Sequence, residues 1–477
     1  MTSLINQSPV SAPALADAYA LSVGQEAMWF LQQLAPASTA YNAGSAVILH
    51  FPVESAALNR AVHRLLARHS LLGSVFRLIR GEVRRVPADL NTADLVEVLD
   101  VSDLDDNALR HLAQELAEVP FHLDRDIPIR IVLLRRAAHE DVLVVTTHHI
   151  VIDDVSQISI LRDLLAEYAR ATADSPSADP DPDPDPDPED DPEHDDATEF
   201  DDYVRRQRDY LASPKSAAAA EYWHAELAAP VIPFDIPTDH PRPAVYQHTG
   251  AEVGFPLTPE LVAEVADAAN VRNVTPFAYL MSVFQLMLYR HTGQTHFIVG
   301  YPATHRTSRN RWSVGYYINT LPMCGEIDPD AGFTETLAAT NRKLWRGLMH
   351  RDYPAAMMPR LRTPPRDPSR PGLISVMFGV NTATRGDAMS AGLLPNQPVE
   401  HASLTVTRFD FPEQQGQFDL SVLMIQHEAG SYVKFKYNTS LFEPRTANRL
   451  ASDYVHLLER AVAETLPARL RDLRPAD

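Results

Sequence analysis

The sequence predicts a mixed α/β protein built from two parts. Its 477 residues are more than one ordinary hydrophobic core accommodates, and a content of 45% hydrophobic and 22% charged residues is typical of a globular protein. A run dominated by Asp and Pro at residues 179–196 divides the chain. On both sides of this run, segments of helical periodicity alternate with short apolar, β-branched segments, which favours helices and strands in each part.

The dividing segment is strongly acidic. Residues 174–199 contain 13 acidic residues and no Lys or Arg, so the remainder of the chain carries −8 of the formal charge of −21. Proline blocks helix and interior strand and neighbouring carboxylates repel, so we expect an extended, solvated segment. A disordered linker is the plainer interpretation, and a docking tail for a basic partner is the alternative. We therefore predict an N-terminal lobe at 1–172, an insert at 173–199 and a C-terminal lobe at 200–477.

Composition also excludes several classes of function. Outside the insert the chain still carries a net negative charge, which does not favour binding of nucleic acid or of anionic lipid. Neither partner is therefore expected. The single cysteine, Cys324, has no second cysteine for an internal disulfide or a cysteine-based zinc site. Residues 1–20 lack the pattern of a secretory signal, and no apolar run is long enough for a membrane helix. We expect a cytoplasmic protein with no bound metal or cofactor.

The first part begins with helical spacing at residues 57–69. Residues 129–134 and 141–147 are apolar and rich in β-branched residues, and the polar residues between them predict two strands joined by a turn. A further helix is predicted to begin with Ser156 as its N-cap and to run through Tyr168.

The second part repeats this mixture. Thr-Pro pairs at Thr258 and Thr275 predict two helix starts, each with Pro at the first helical position. Short apolar segments predict buried strands, and the periodic segment near the end of the chain predicts a closing helix. The predicted strands are 297–300, 373–380 and 431–436, and the closing helix is 447–464.

A strand that ends in two histidines carries the clearest chemistry. His148 and His149 follow the strand at 141–147, and Asp153 lies four residues further on, before the predicted helix. An imidazole with an ordinary pKa of about 6.5 can accept a proton at neutral pH and return it later. With 19 histidines in the chain, chance alone gives about one adjacent pair, so the pair needs support from its context.

That context is a series of seven segments spread over residues 21–373. They include a Ser-Val-Gly-Gln stretch, His-His-Ile-Val-Ile-Asp, and Val-Gly-Tyr-Tyr-Ile-Asn-Thr-Leu-Pro. In order along the chain, these segments resemble the motifs of the condensation-domain family of non-ribosomal peptide synthesis. The matching segments are residues 21–31, 68–76, 147–156, 200–239, 314–322, 350–354 and 366–370.

The resemblance implies a fold and an activity. Its fold would be two chloramphenicol-acetyltransferase-like lobes in a V-shaped pseudo-dimer with the active site in the cleft. A loop around residues 315–321 of the second lobe would cross to the first. The activity would be transfer of an acyl or aminoacyl group from a carrier-protein phosphopantetheine thioester to an amine or hydroxyl acceptor.

The resemblance also implies roles for the residues of the His motif. His149 matches the catalytic histidine, which positions the acceptor or accepts its proton, and His148 is expected to support the turn. Asp153 matches an architectural aspartate that pairs with an arginine of the second motif. That arginine is replaced here by Gly73, which leaves Arg68, Arg77 and Arg370 as candidate partners for Asp153.

Two further positions carry open alternatives. Asp154 replaces the motif glycine, and its carboxylate either narrows the acceptor route or serves as a helix-capping residue. Asn319 matches the fifth motif, where its amide either binds a pantetheine arm or holds the loop backbone, with the loop role favoured.

Three functions are consistent with these observations. The first is an acyltransferase forming an amide or ester. The second is a non-catalytic platform that recruits a carrier protein or tailoring enzyme, since an Asp-Asp ending resembles the motif of catalytically dead relatives, although those lack the histidine retained at His149. The third is an epimerase, against which Asn319 and Thr320 argue.

Because the chain has no segment resembling an adenylation domain or a Gly-Gly-x-Ser attachment site, we expect a peptidyl or acyl carrier protein in trans, with a small-molecule or carrier-bound acceptor.

Overall fold

The computed structural model describes most of the chain. The acidic run and Arg366 of the seventh motif lie outside the described residues. The described residues are 18–90, 94–136, 140–173, 196–228, 235–361, 367–382, 389, 394, 396–411, 416–427 and 430–473.

Helices and strands alternate along both parts of the chain, as the sequence predicts. The described helices are α1 (Val23–Leu34), α2 (Ser55–Arg68), α3 (Asp106–Ala117), α4 (Asp154–Ala173), α5 (Asp196–Leu211), α6 (Pro214–Glu226), α7 (Pro259–Val271), α8 (Pro276–Thr292), α9 (Phe333–Met349) and α10 (Pro444–Val462). The described strands are β1 (Tyr19–Ala20), β2 (Asn42–Leu49), β3 (Ser74–Ile79), β4 (Glu82–Pro87), β5 (Val96–Asp100), β6 (Ile129–Arg135), β7 (Asp141–His148), β8 (Gly250–Leu257), β9 (His296–Thr304), β10 (Ile318–Glu326), β11 (Val376–Thr382), β12 (Pro398–His401), β13 (Leu404–Arg408), β14 (Leu420–His427) and β15 (Gly430–Asn438).

Two compact units make up the fold. Unit 1 comprises residues 1–209, 305–317 and 386–412, and unit 2 comprises the remainder. The sequence places one boundary at residue 200 and predicts that a loop around residues 315–321 crosses to the first part, and in the structure residues 305–317 and 386–412 belong to unit 1. Each unit combines a sheet with helices, which confirms the mixed α/β fold class.

Unit 1 is built on a sheet whose described strands have the order β12-β13-β2-β7-β6-β5. Strand β7 lies inside this sheet and all eight of its residues are buried, which explains its nearly continuous apolar sequence. It pairs antiparallel with β2 and with β6, and Asn42 of β2 lies opposite His148 at the end of β7. The helices α2 and α4 pack against each other beside this sheet.

Unit 2 is built on a second sheet with the described order β10-β9-β11-β14-β15-β8. The predicted helix starts are confirmed, because the side chains of Thr258 and Thr275 accept the backbone N–H of Leu261 and Ala278 at 3.3 and 3.1 Å. Helix α8 is buried over most of its length. No helix in the described part of either unit combines the length and the apolar character needed to cross a membrane.

Candidate active site

The two histidines lie where β7 gives way to a short 3₁₀ turn, His149–Val151. The backbone N–H of His149 donates to the carbonyl of Tyr41 at 2.8 Å, which continues the pairing between β2 and β7 past the end of the strand. The side-chain amide of Gln25 donates to the carbonyl of Ile150 at 2.8 Å. The turn is therefore held from both sides, and the side chain of His149 remains half-buried.

His148 is the buried member of the pair. Its side chain is 1% exposed, and its Nδ1 accepts the backbone N–H of Ile150 at 3.1 Å, so it caps the turn that carries His149. The ring packs edge-on against Phe121, with the centroids 6.0 Å apart. Burial, together with the neighbouring charges of His149 and Arg130, lowers the pKa of His148 to about 3, so this imidazole is neutral at physiological pH.

Asp153 is almost fully buried, at 2% exposure, and its charge is paired with Arg306. Nε of Arg306 donates to Oδ2 at 2.9 Å and a terminal nitrogen donates to Oδ1 at 2.6 Å. This two-point contact satisfies both carboxylate oxygens, as a buried charge requires.

The partner of Asp153 differs from the three candidates that the sequence suggested. Arg68 lies 3.7 Å from Asp163, and Arg370 pairs with Asp235 at 3.0 Å. Nε of Arg77 donates to the carbonyl of Asp124 at 2.9 Å. Arg306 lies in the segment 305–317 after β9, far from the second motif in the sequence, so no local spacing pointed to it.

Arg306 also organises its own segment. One terminal nitrogen donates to the carbonyls of residues 310, 311 and 313 at 2.8–3.0 Å, and the guanidinium lies over the ring of Tyr317 at 4.5 Å. The hydroxyl of Ser156 donates to Asp153 at 2.8 Å and lies 3.0 and 3.1 Å from the carbonyl and N–H of Gly315. One arginine and one serine therefore fix segment 305–317 against the histidine turn.

The N-cap of the helix after the turn lies three residues earlier than the sequence predicted. Helix α4 starts at Asp154, and Ser156 lies inside its first turn. The carboxylate of Asp153 accepts the backbone N–H of Ser156 at 3.0 Å and so takes the capping role assigned to the serine. Asp154 is half-buried at the helix start, where a negative charge is favourable.

The side chain of Asn319 contacts backbone groups of unit 2. Its amide nitrogen donates to the carbonyls of Arg351 and Tyr353 at 2.7 and 2.8 Å, and its oxygen accepts the N–H of Ala355 at 2.7 Å. Both amide hydrogens are used, which agrees with the role in holding the loop. Trp223, one of the motif residues, is fully buried and donates to the carbonyl of His350 at 3.2 Å.

A small pocket opens on the face of the unit 1 sheet that bears Thr147, two residues before His149. It lies between strands β2 and β7 and helix α4, and its wall is mainly aliphatic with a few neutral polar groups. The lining residues are Ser45, Ala46, Val47, Leu143, Val145, Thr147, Gln157, Ile160 and Leu161.

Sequence comparison points to one family. The profile of the family described as the Condensation domain matches residues 15–472. The phosphinothricin tripeptide synthetase of Streptomyces viridochromogenes is 31% identical over 450 residues, a region that covers 93% of this chain and 39% of that protein. A linear gramicidin synthase protein of Brevibacillus parabrevis is 30% identical over 451 residues, which cover 92% of this chain and 5% of that protein. The chain therefore spans less than half of the length of either relative.

Solved structures share the fold at low sequence identity. A four-domain non-ribosomal peptide synthetase bound to AMP and glycine matches with a TM-score of 0.83 and 21% identity over 99% of this chain and 34% of that one. The X-domain from teicoplanin biosynthesis, which is also solved in complex with OxyB, matches with a TM-score of 0.80 and 22% identity, covering 97% of this chain and 98% of that domain.

Proposed function

This chain belongs to the condensation-domain family of non-ribosomal peptide synthetases, acyltransferase-type proteins that form peptide bonds in natural-product biosynthesis, and from that premise we propose its reaction. The chain transfers an acyl or aminoacyl group from a carrier-protein phosphopantetheine thioester to an amine or hydroxyl acceptor. The observation that carries this proposal is the half-buried His149 on a turn that three other residues hold in place: Tyr41 and Gln25 through its backbone and His148 through its cap.

Two neighbours of His149 in the turn have defined charge states. His148 is kept neutral by burial, and the charge of Asp153 is compensated by Arg306. In the proposed reaction, the imidazole of His149 orients the nucleophile and accepts its proton as the new bond to the acyl carbon forms. The C–S bond of the thioester then breaks, the imidazolium returns the proton to the departing thiolate, and the acyl group remains on the acceptor as an amide or an ester.

A second candidate function is a platform that recruits a tailoring enzyme. The similarity to the X-domain, which is solved with OxyB, supports it, as does Asp154 in place of the motif glycine. The retained His149 favours catalysis over this alternative. A platform would bind an acyl-carrier protein and yield no transfer product with any acceptor.

Intact-protein mass spectrometry tests the proposal directly. A carrier protein loaded with an aminoacyl thioester is offered a panel of amines and alcohols in the presence of the enzyme. Loss of the acyl mass from the carrier, together with a new amide or ester in the small-molecule fraction, is the expected result. His149→Ala is the matched control and should leave the carrier loaded. Carrier binding without transfer across the whole panel would instead support the platform, and solvent deuterium at the α-carbon would indicate an epimerase.

A further inference from the structure

Three polar atoms on one face of the unit 1 sheet have no hydrogen-bond partner in the described part of the chain. They are Nε2 of His148, Nε of Arg130 and Oδ1 of Asn42, and all three are shielded from solvent. Asn42 lies opposite His148 across β2 and β7, and Arg130 of β6 lies opposite Thr146, two residues before His148. Since opposite residues share a face of a sheet, and alternate residues of one strand do so too, the three side chains lie on the same face.

The backbone after α3 brings two of these side chains together. The amide nitrogen of Asn42 donates to the carbonyl of Val119 at 2.9 Å, and a terminal nitrogen of Arg130 donates to the same oxygen at 2.6 Å. The other terminal nitrogen of Arg130 donates to the next carbonyl along the chain, also at 2.6 Å. Strand β7 lies between β2 and β6 in the sheet, so the two side chains reach a shared oxygen from either side of the strand that ends in His148.

The ring of Phe121 links His148 to Arg130. The guanidinium carbon of Arg130 lies 3.7 Å from the centre of this ring, and the imidazole of His148 packs edge-on against it at 6.0 Å between centroids. After burial and the charge of His149, the charge of Arg130 is a further cause of the lowered pKa of His148, which places the guanidinium near the imidazole. The three atoms without protein partners therefore belong to one buried cluster.

The hydrogen-bonding capacities of the three atoms match those of a single water molecule. Because Nδ1 of His148 accepts the N–H of Ile150, the neutral ring carries its proton on Nε2, which is a donor. Nε of Arg130 is a second donor. The nitrogen of Asn42 donates to two backbone carbonyls, so its Oδ1 is an acceptor. A water molecule can accept both donated bonds and donate one, and buried waters typically make about three hydrogen bonds to such groups.

We infer that one water molecule binds between His148, Arg130 and Asn42 and fixes the tautomer with which His148 caps the histidine turn. The water accepts the N–H groups of the imidazole and the guanidinium and donates to the amide oxygen. In the other tautomer, Nδ1 would carry the proton and could not accept the N–H of Ile150. Arg130 and Asn42 are thus positioning residues for the turn that carries His149, and this role holds whether or not the chain transfers acyl groups.

NMR of the full chain with ¹⁵N-labelled histidine reports the tautomer and the water together. A long-range ¹H–¹⁵N spectrum should show His148 protonated at Nε2 and not at Nδ1. A rotating-frame spectrum should show dipolar transfer from water to this Nε2 proton, with the sign that distinguishes such transfer from proton exchange. The resonance is identified by its loss in His148→Asn.

His69 is the matched control within the same spectrum. It is 1% exposed, as His148 is, but its Nε2 lies 2.7 Å from Oδ2 of Asp163 and is bonded to the protein directly. Its Nε2 proton should therefore receive no dipolar transfer from water.

Arg130→Lys tests the second donor. Lysine keeps the positive charge but has no Nε–H, so the water loses one charge-assisted hydrogen bond and should exchange with bulk solvent about 10- to 100-fold faster. Oxygen-17 relaxation dispersion of the water signal measures this residence time in the wild type and the variant.

Four results would overturn the inference. They are a His148 protonated at Nδ1, an Nε2 proton with no dipolar transfer from water, an Nε2 proton lost to rapid exchange with bulk solvent, and an unchanged residence time in a folded Arg130→Lys variant. If that variant does not fold, the wild-type spectra decide the inference alone.

Discussion

The two units hold their functional segments in different ways. In unit 1 the histidine turn is fixed through a charge, with the carboxylate of Asp153 paired to Arg306 in an almost fully buried setting. In unit 2 the segment around residue 353 is fixed by a neutral amide, since Asn319 bonds only backbone groups. A buried ion pair is costly to break because it leaves an unpaired charge, whereas a neutral amide leaves only unsatisfied polar groups. We therefore expect the histidine turn of unit 1 to be more sensitive to loss of its partner side chain than the segment around residue 353 of unit 2.

The largest expected effect is on the rate of transfer. Replacing His149 with Ala should lower turnover by about 10²–10⁴-fold, because the reaction loses its proton acceptor. The unfolding temperature should stay near that of the wild type, since the half-buried side chain contributes little packing. His296→Ala, at the start of β9 in unit 2, removes an exposed imidazole and should leave turnover unchanged. Equal rates for His149→Ala and wild type would remove His149 from the mechanism.

The next effect is on the stability of unit 1. Arg306→Met should lower the free energy of unfolding by about 3–5 kcal/mol, because Asp153 is left buried without its counter-charge. Urea denaturation followed by circular dichroism measures this. The double variant Arg306→Met with Asp153→Asn should recover much of the loss. Arg309→Met is the control, since its side chain is 79% exposed, and it should change stability by less than about 0.5 kcal/mol. A single Arg306 variant as stable as the control would contradict the comparison between the units.

A smaller loss of stability is expected from a substitution in unit 2. Asn319→Leu leaves two carbonyls and one N–H without their partner and should cost about 2 kcal/mol of stability. Because no atom of Asn319 is assigned to the substrate, turnover per folded molecule should match the wild type. Steady-state rates normalised to the folded fraction provide the measurement. A loss of rate with full stability would show that Asn319 contacts the substrate after all.

The smallest effect is a change in pH dependence. The pKa of His148 lies at about 3 in the folded protein and near 6.5 when unfolded, so the unfolded state binds the extra proton as the pH falls below 6.5. This histidine therefore makes the wild type less stable as the pH falls from 6.5 towards 3. His148→Asn keeps an acceptor for the N–H of Ile150 and cannot titrate. Between pH 7 and pH 5.5, the wild type should lose about 1 kcal/mol more stability than this variant in urea melts. Parallel losses would show that His148 is protonated in the folded state.

Local sequence patterns predicted the helices and strands but not the contacts between residues that are distant in the sequence. The apolar runs of β6 and β7 and the Thr-Pro helix starts of α7 and α8 are visible because each depends on neighbouring residues. The position of His149 at the end of a buried strand was predicted from the apolar run that precedes it. Arg306, by contrast, is 153 residues from Asp153, and only folding brings the two together.

The cap of α4 shows a second limit. Ser156 has good capping chemistry, but Asp153 precedes it by three residues and its carboxylate already accepts the N–H of Ser156. The serine hydroxyl is then free to contact Gly315, a residue that no local window includes.

The discontinuous make-up of unit 1 also has a consequence for how the chain matures. Strand β13, at Leu404–Arg408, pairs with β2 at Val47–Leu49, so the sheet gains these partners only when the chain has been synthesised through β13. Until β13 is made, β2 presents an open edge, and until Arg306 is made, Asp153 lacks its counter-charge. Pairings between such distant residues slow folding. A fragment ending at residue 209 would therefore lack both the β13 edge and the counter-charge of Asp153.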